Sequence, residues 1–117
     1  MNDRELLELA ARAAAIELRP MEVKNVTKTG DDRFIGYMTK AEQWPRGWFN
    51  PLTDDGDALR LAVNLNMHLR IDHDREPCRV TAYMDGADAR EVIDDPYAAT
   101  RRAIVRAAAA IGKEMPA

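Results

Sequence analysis

The sequence predicts an α+β sandwich in which three helices cover an antiparallel sheet of four or five strands. Three amphipathic segments have apolar residues at helical spacing, and two pairs of alternating segments lie between them, each pair joined by a polar turn. The predicted order is therefore helix, hairpin, helix, hairpin, helix. Hairpins that are separate from the helices favour an antiparallel sheet over a parallel one.

The composition is that of one globular domain over residues 1–117. The formal net charge is −3, with 46% hydrophobic and 32% charged residues, and this balance gives no overall attraction to nucleic acid or anionic membrane. No apolar run approaches the roughly 18 residues that a membrane span needs. Cys78 is the one cysteine and cannot form an internal disulfide, so a cytoplasmic location is expected.

The outer helices begin at capping signals. Asn2 stands three residues before Glu5, the spacing of a capping box, and predicts a first helix over residues 3–15. Asp95 followed by Pro96 predicts the start of the last helix, which Gly112 and the following proline are expected to end. The predicted hairpin strands are residues 21–26 with 34–38, and 67–72 with 78–84, with a short edge strand over 91–93. Gly36 is expected to mark a bulge or a close neighbour.

The central helix is expected to follow Asn50-Pro51, with Thr53 as its cap. Apolar residues cover most of its surface, so we expect it to be the most buried of the three helices. Its predicted polar stripe is narrow: Asp57, Arg60 and Asn64. The acidic cluster Asp54, Asp55 and Asp57 does not have the ligand spacing of an EF-hand, and a helix start explains it, so no metal site is predicted.

The segment before the central helix holds both tryptophans. Trp44, Trp48 and Phe49 lie close together, with Asn50 next to them. One interpretation is that a tryptophan fills the edge of the core and anchors the loop. The other is that these four residues form a binding surface for a partner protein, since exposed aromatic residues are enriched at interfaces.

Two further groups of residues are candidate functional sites. Arg101, Arg102 and Arg106 form a basic stripe on the last helix, which predicts either phosphate contacts or, by default, a solvated helix face. His73 and Cys78 flank a turn, which permits a Cys–His nucleophile pair, although a buried structural cysteine is the simpler interpretation. Phosphate-binding glycine loops and hydrolase motifs are absent, so the sequence predicts no cofactor and no catalysis.

Three stretches together resemble small proteins of tailed phages and prophages. They are NDRELLELAARAA, NPLTDDGDALRLAVNL and DPYAATRRAIVRAAAAIG, over residues 2–14, 50–65 and 95–112. The family is the phage ABA (α-β-α) sandwich domain, whose function is uncharacterised. The resemblance implies a phage or prophage accessory protein in a bacterial cytoplasm. With the aromatic loop, it predicts a non-catalytic module that binds a host or phage protein, and a homodimer is compatible with it.

Overall fold

The computed structural model describes residues 1–23, 33–40, 42–45, 47–72, 74 and 76–116. These residues form three helices and two three-stranded antiparallel sheets. The helices are α1 (Asp3–Ala13), α2 (Asp55–Asn64) and α3 (Pro96–Glu114). The first sheet consists of β1 (Arg19–Val23), β2 (Arg33–Met38) and β3 (Trp48–Phe49), and the second of β4 (His68–Asp72), β5 (Arg79–Met84) and β6 (Ala87–Val92).

The α+β class is confirmed, but the prediction of one sheet with four or five strands is wrong. Each predicted hairpin forms a three-stranded sheet of its own, and the edge strand predicted over residues 91–93 is β6, which begins earlier and runs over Ala87–Val92. The third strand of the first sheet, β3, has only two residues and arises from the aromatic loop. The third strand of the second sheet, β6, is six residues long, and its alternation of small and charged residues is a weak strand signal. The predicted turn over residues 29–32 lies outside the described residues.

The last helix, α3, is the centre of the fold. It packs against α1, α2, β5 and β6, and most of its buried residues are alanines, which allow close approach. The prediction that α2 is the most buried helix is wrong, because Leu59 and Val63 on α2 are 60% and 71% exposed. Although α3 spans 19 residues, no helix in the described residues is long and apolar enough to cross a membrane.

The helices α1 and α3 approach each other at backbone distance. A Cβ atom built on Gly112 would lie 1.9 Å from the carbonyl oxygen of Leu9, so only glycine fits at this crossing. The sequence predicted that Gly112 ends the last helix, but the helix continues to Glu114. This glycine is therefore a packing residue, and its role could not be seen without its neighbour on α1.

Two of the three predicted caps are confirmed. The Asn2 side chain accepts a hydrogen bond from the Glu5 backbone N–H at 2.8 Å, and the Asp95 carboxylate accepts from the second and third residues after it. The predicted cap of α2, Thr53, is wrong by one residue. Asp54 is the cap, because Thr53 still belongs to the turn that precedes the helix.

Both expectations for Gly36 are correct. The register between β1 and β2 shifts beside it, which is the mark of a bulge. Gly36 has a φ of +146°, and a Cβ atom there would lie 3.1 Å from the ring of Trp48 on β3. Glycine is needed here for both its conformation and the space that it leaves.

Tyr37 joins the first sheet to α1. It is buried, its hydroxyl donates to the carboxylate of Glu8, and it accepts from Arg4 Nε at 3.2 Å. Burial raises the pKa of the Tyr37 phenol, and the hydrogen bond to the Glu8 carboxylate raises it further. The native state therefore holds the phenolic proton more tightly than the unfolded chain does.

This shift predicts a loss of stability in alkali. The contribution of Tyr37 to the free energy of unfolding is fully present below pH 10.0, the ordinary tyrosine pKa, and is lost as the pH rises through the native pKa. Urea unfolding at several pH values above 9 should show a steeper fall for the native sequence than for Tyr37→Phe. Equal slopes for the two proteins would contradict the assignment.

The second sheet has two unlike faces. Val80 and Ala82 on β5 are fully buried against α3, and Leu69 and Ile71 on β4 lie opposite them in the register, on the same face. We call this the inner face. The side chains between these residues, such as Thr81, point away from α3, and we call that side the open face.

Candidate functional site

An apolar groove, here named the α2–β4 groove, lies between α2, β4 and the first half of α3. Its volume is about 600 Å³. The apolar side chains that line it come from all three elements: Leu59, Leu69, Ile71, Pro96, Tyr97 and Ile104. Large apolar side chains that meet in one partly exposed groove, with few polar groups among them, are typical of an interaction site.

The groove exists because the cover of the second sheet is incomplete. Leu69 and Ile71 lie on the inner face with the buried Val80 and Ala82, but α3 covers only β5 and β6. Leu69 and Ile71 are therefore 39% and 49% exposed. The alternation of apolar and polar residues in β4 correctly predicts the face of the sheet to which each side chain points. The layer that would bury them is absent from the described part of the chain.

Leu59 on α2 and Tyr97 on α3 form the wall of the groove. Both side chains are more than half exposed. Val63, one turn further along α2, is equally exposed but does not line the groove. This difference provides a matched pair of positions on one helix, one inside the groove and one outside it.

The strand β4 is an unprotected sheet edge. In the described residues it pairs only with β5, its five residues follow a regular register, and it contains no proline. The edge strand β1 of the first sheet contains Pro20 and a register shift, two features that discourage pairing with another strand. On the far side of the second sheet, Arg106 donates to the carbonyl of Arg90 on β6 at 3.2 Å.

The rim of the groove is acidic. Asp55 at the start of α2 lines the groove, and Asp95, the exposed cap of α3, immediately precedes the lining residue Pro96. The nearest cation is Arg101, whose guanidinium is already occupied: it contacts Asp55 at 2.6 Å and donates to the carbonyl of Leu52 at 2.9 Å. A ligand that carries positive charge beside its apolar groups would match this rim.

The aromatic loop divides between core and surface. Trp44 is 2% exposed, and its ring meets that of the buried Phe49 edge to face at 5.1 Å. These two residues are core residues and do not form the exposed surface that one interpretation predicted. Trp48 and Asn50 are exposed, and Trp48 covers Gly36 as described above. The interpretation that a tryptophan fills the edge of the core describes Trp44.

Asp57 is the buried anchor of this loop. It is 5% exposed, and its carboxylate accepts from Trp44 Nε1, from the Asn50 backbone N–H and from Arg60 Nη1, each at 2.9 Å. Its predicted place in an exposed polar stripe is therefore wrong. In the described part of the chain, no group of three or more acidic, histidine or cysteine side chains is arranged to hold a metal ion.

The arginines of the predicted basic stripe make contacts within the protein. Arg101 is bound to α2 and the loop before it, and Arg102 contacts Asp3 at 3.1 Å. Arg106 contacts Glu91 at 2.8 Å. These contacts fasten α3 to α2, to the start of α1 and to β6. Each guanidinium of the stripe therefore already has a carboxylate partner.

The predicted cysteine–histidine pair is not tested by the structure. Cys78 is half-buried and lies just before β5. His73 lies outside the described residues. The pair therefore remains a prediction from spacing.

Comparison with known proteins gives no significant match to a family model, to a curated protein or to a solved structure. The resemblance to phage sandwich proteins therefore remains a prediction from the residues that carry it. Three features of the structure bear on function: the α2–β4 groove, the edge of β4 and the open face of the second sheet.

Sequence reasoning missed the groove, although one signal for it was present. The central helix has more apolar residues than a single buried face requires, since Leu59 and Val63 lie outside the stripe that packs against α3. From the sequence, this excess of apolar residues predicts complete burial of the central helix. An excess of this kind also indicates an exposed apolar surface, and only the position of the neighbouring elements decides between the two.

Proposed function

We propose that this chain is a non-catalytic protein-binding module that receives an extended segment of its partner in the α2–β4 groove. The partner segment would pair with β4 as a fourth strand of the second sheet. One observation carries the proposal: Leu69 and Ile71 are inner-face residues on a regular edge strand, and the described chain leaves both uncovered.

Strand addition fits the shape of the groove. An added strand would lie about 4.8 Å from β4, and every second side chain would point to the inner face. Those side chains would lie beside Leu69 and Ile71 and be covered by Leu59 and Tyr97. Main-chain hydrogen bonds to β4 would supply affinity, and the alternate apolar side chains would supply specificity.

The charge of the rim specifies the partner further. Asp55 lines the groove and is paired with Arg101, and the exposed Asp95 immediately precedes the lining residue Pro96. A segment with alternating apolar and basic residues would match both the groove and its rim. Complementary charge of this kind raises the association rate and disfavours acidic competitors.

The biological setting that we propose is that of a phage or prophage accessory protein acting in a bacterial cytoplasm on a host or phage protein. Two of the stretches that resemble the phage sandwich proteins, residues 50–65 and 95–112, contain α2 and all but the last two residues of α3. These are the helices that border the groove. Nucleic-acid binding through the stripe of α3 is a weaker alternative, because its guanidinium groups are already paired.

The test uses a synthetic peptide of alternating valine and lysine, with a control peptide in which the same residues are grouped. We expect the alternating peptide to bind and to protect backbone amides of β4 from hydrogen exchange. Leu59→Lys should weaken binding about tenfold or more, since it removes an apolar wall and adds a like charge. Val63→Lys, which adds the same charge outside the groove, should change binding little.

Three results would contradict the proposal. Equal binding of the two peptides would show that charge alone is responsible, and protection confined to α2 and α3 would show that the occupant is not a strand. A dimer in light scattering, at twice 13.2 kDa, whose β4 amides are protected without any peptide would mean that a second copy occupies the edge. Circular dichroism of both lysine variants should match the native protein, since both positions are exposed.

A further inference from the structure

The open face of the second sheet carries a cluster of basic and aromatic side chains. Apart from Asp72, Asp88 and Val92, six residues of the three strands face away from α3: His68, Arg70, Arg79, Thr81, Tyr83 and Arg90. A shallow depression of about 430 Å³ lies among the last five of these. In the described part of the chain, no helix covers this face.

The cluster is centred on Thr81. The register places Arg70 on β4 and Arg90 on β6 directly opposite Thr81, one on each side. Arg79 and Tyr83 are two residues before and after it on β5, and therefore on the same face. Neighbours in such an arrangement have Cβ atoms roughly 5 to 8 Å apart. The guanidinium groups of the three arginines and the hydroxyl of Tyr83 therefore surround Thr81.

The arginines of this face differ from those of α3 in their pairing. Arg79 and Arg90 make no ion pair or side-chain hydrogen bond with the described residues, and both are exposed. Arg70 contacts Asp72 at 3.1 Å and remains 62% exposed. Asp72 and Glu76 lie at one end of the depression, and Asp88 lies opposite Tyr83 at the other end of the face, so the basic side chains occupy its centre.

The aromatic part lies at the other end. The rings of His68 and Tyr83 are stacked at 5.0 Å with an angle of 9° between their planes, and both residues are exposed. A parallel pair of rings standing on an open sheet gives a flat surface on which a nucleobase can stack. The phosphates on either side of that base would reach the guanidinium groups around Thr81.

We infer that the open face of the second sheet binds single-stranded nucleic acid. An open face favours a polymer over a mononucleotide, because small-molecule sites enclose most of their ligand. It favours a single strand over a duplex, because the rings contact only bases that are unstacked. The inference does not depend on the groove, because Arg70 and Leu69 of β4 point to opposite faces.

The experiment measures fluorescence anisotropy of a short labelled oligothymidylate with the full chain across a series of salt concentrations. Binding should weaken with salt. The double variant Arg79→Ala with Arg90→Ala should reduce the slope of log K against log salt by about 1.4, the change expected when two phosphate contacts are lost. Tyr83→Ala should weaken binding at least about fivefold and leave that slope unchanged, because it removes stacking and not charge. Lys113→Ala, a control that removes one positive charge from α3, should change neither quantity.

Other outcomes would overturn the inference. These are the absence of binding at low salt, a loss with Lys113→Ala equal to that with the double variant, and competition by polyglutamate as strong as that by unlabelled oligonucleotide. Thymidine monophosphate that binds as tightly as the oligonucleotide would assign the site to a free nucleotide instead. Far-UV circular dichroism checks the fold, and Arg79→Gln replaces Arg79→Ala if the spectrum changes.

Discussion

Replacement of Gly112 by alanine is expected to lower the free energy of unfolding by at least about 3 kcal/mol. The added methyl group would lie 1.9 Å from the Leu9 carbonyl oxygen and 2.8 Å from its carbonyl carbon. Both are backbone atoms of α1, so no side chain can rotate to make room. The two helices would have to separate, and the alanine contacts along their crossing would be lost with the displacement.

The matched control is the same substitution at Gly56, in the first turn of α2. There the nearest atoms to an added Cβ belong to the side chains of Arg60, at 3.2 Å, and Asp54, at 3.3 Å. Side chains can yield by a few tenths of an ångström, and alanine is the better helix former. Urea unfolding should therefore show a change of less than about 1 kcal/mol for Gly56→Ala. Similar losses for both variants would mean that the α1–α3 approach is not the cause.

Replacement of Asp57 by alanine is the second large expected effect, a loss of about 3 kcal/mol in the free energy of unfolding. The carboxylate accepts three hydrogen bonds, each at 2.9 Å, from Trp44, Asn50 and Arg60. Its removal leaves the indole N–H of the buried Trp44 without an acceptor. The loop before α2 would lose the contact that holds it to the helix, and tryptophan fluorescence should shift as Trp44 meets water.

Asp55→Ala is the control for this second prediction. Asp55 also belongs to the first turn of α2, but it is exposed and its partner is Arg101. The Asp55 side chain is 66% exposed although that of Arg101 is only 18% exposed, so the loss should be about 1 kcal/mol, well below that for Asp57→Ala. Equal losses for Asp55→Ala and Asp57→Ala would show that the acids act through the charge at the helix start and not through burial of Asp57.

The two proposed sites use opposite faces of one strand. In β4, Leu69 and Ile71 point into the groove, while His68 and Arg70 point to the open face. Substitutions at these positions can therefore separate the two activities. Leu59→Lys should leave oligonucleotide binding unchanged, and the double arginine variant should leave peptide binding unchanged. Such independence is a direct consequence of the twofold alternation of a strand.

Local features of the fold were predictable from the residues. Asn2 and Asp95 cap their helices as expected, because a cap depends only on residues two or three positions away. The direction of each side chain on β4 and β5 also followed from simple alternation. These predictions succeed because the interactions that determine them lie within a few residues of each other in the chain.

Predictions of burial failed where the cover comes from distant residues. Leu59 and Ile71 have the pattern of core residues, yet each is about half exposed or more, since α3 does not extend over them. Asp57 has the pattern of a solvated helix start, yet the loop that holds Trp44 folds over it. Neither outcome is determined by the residues next to it in sequence.

The sequence by itself therefore determined the α+β class, the helix starts and the two faces of the second sheet. Tertiary structure alone decided that there are two sheets, that α3 is the central helix and that Gly112 is a contact with α1. It also decided that the inner face of β4 is left open. The physical reason is that hydrophobic stabilisation depends on the apolar area removed from water. The surfaces that cover this area come from segments far apart in the chain.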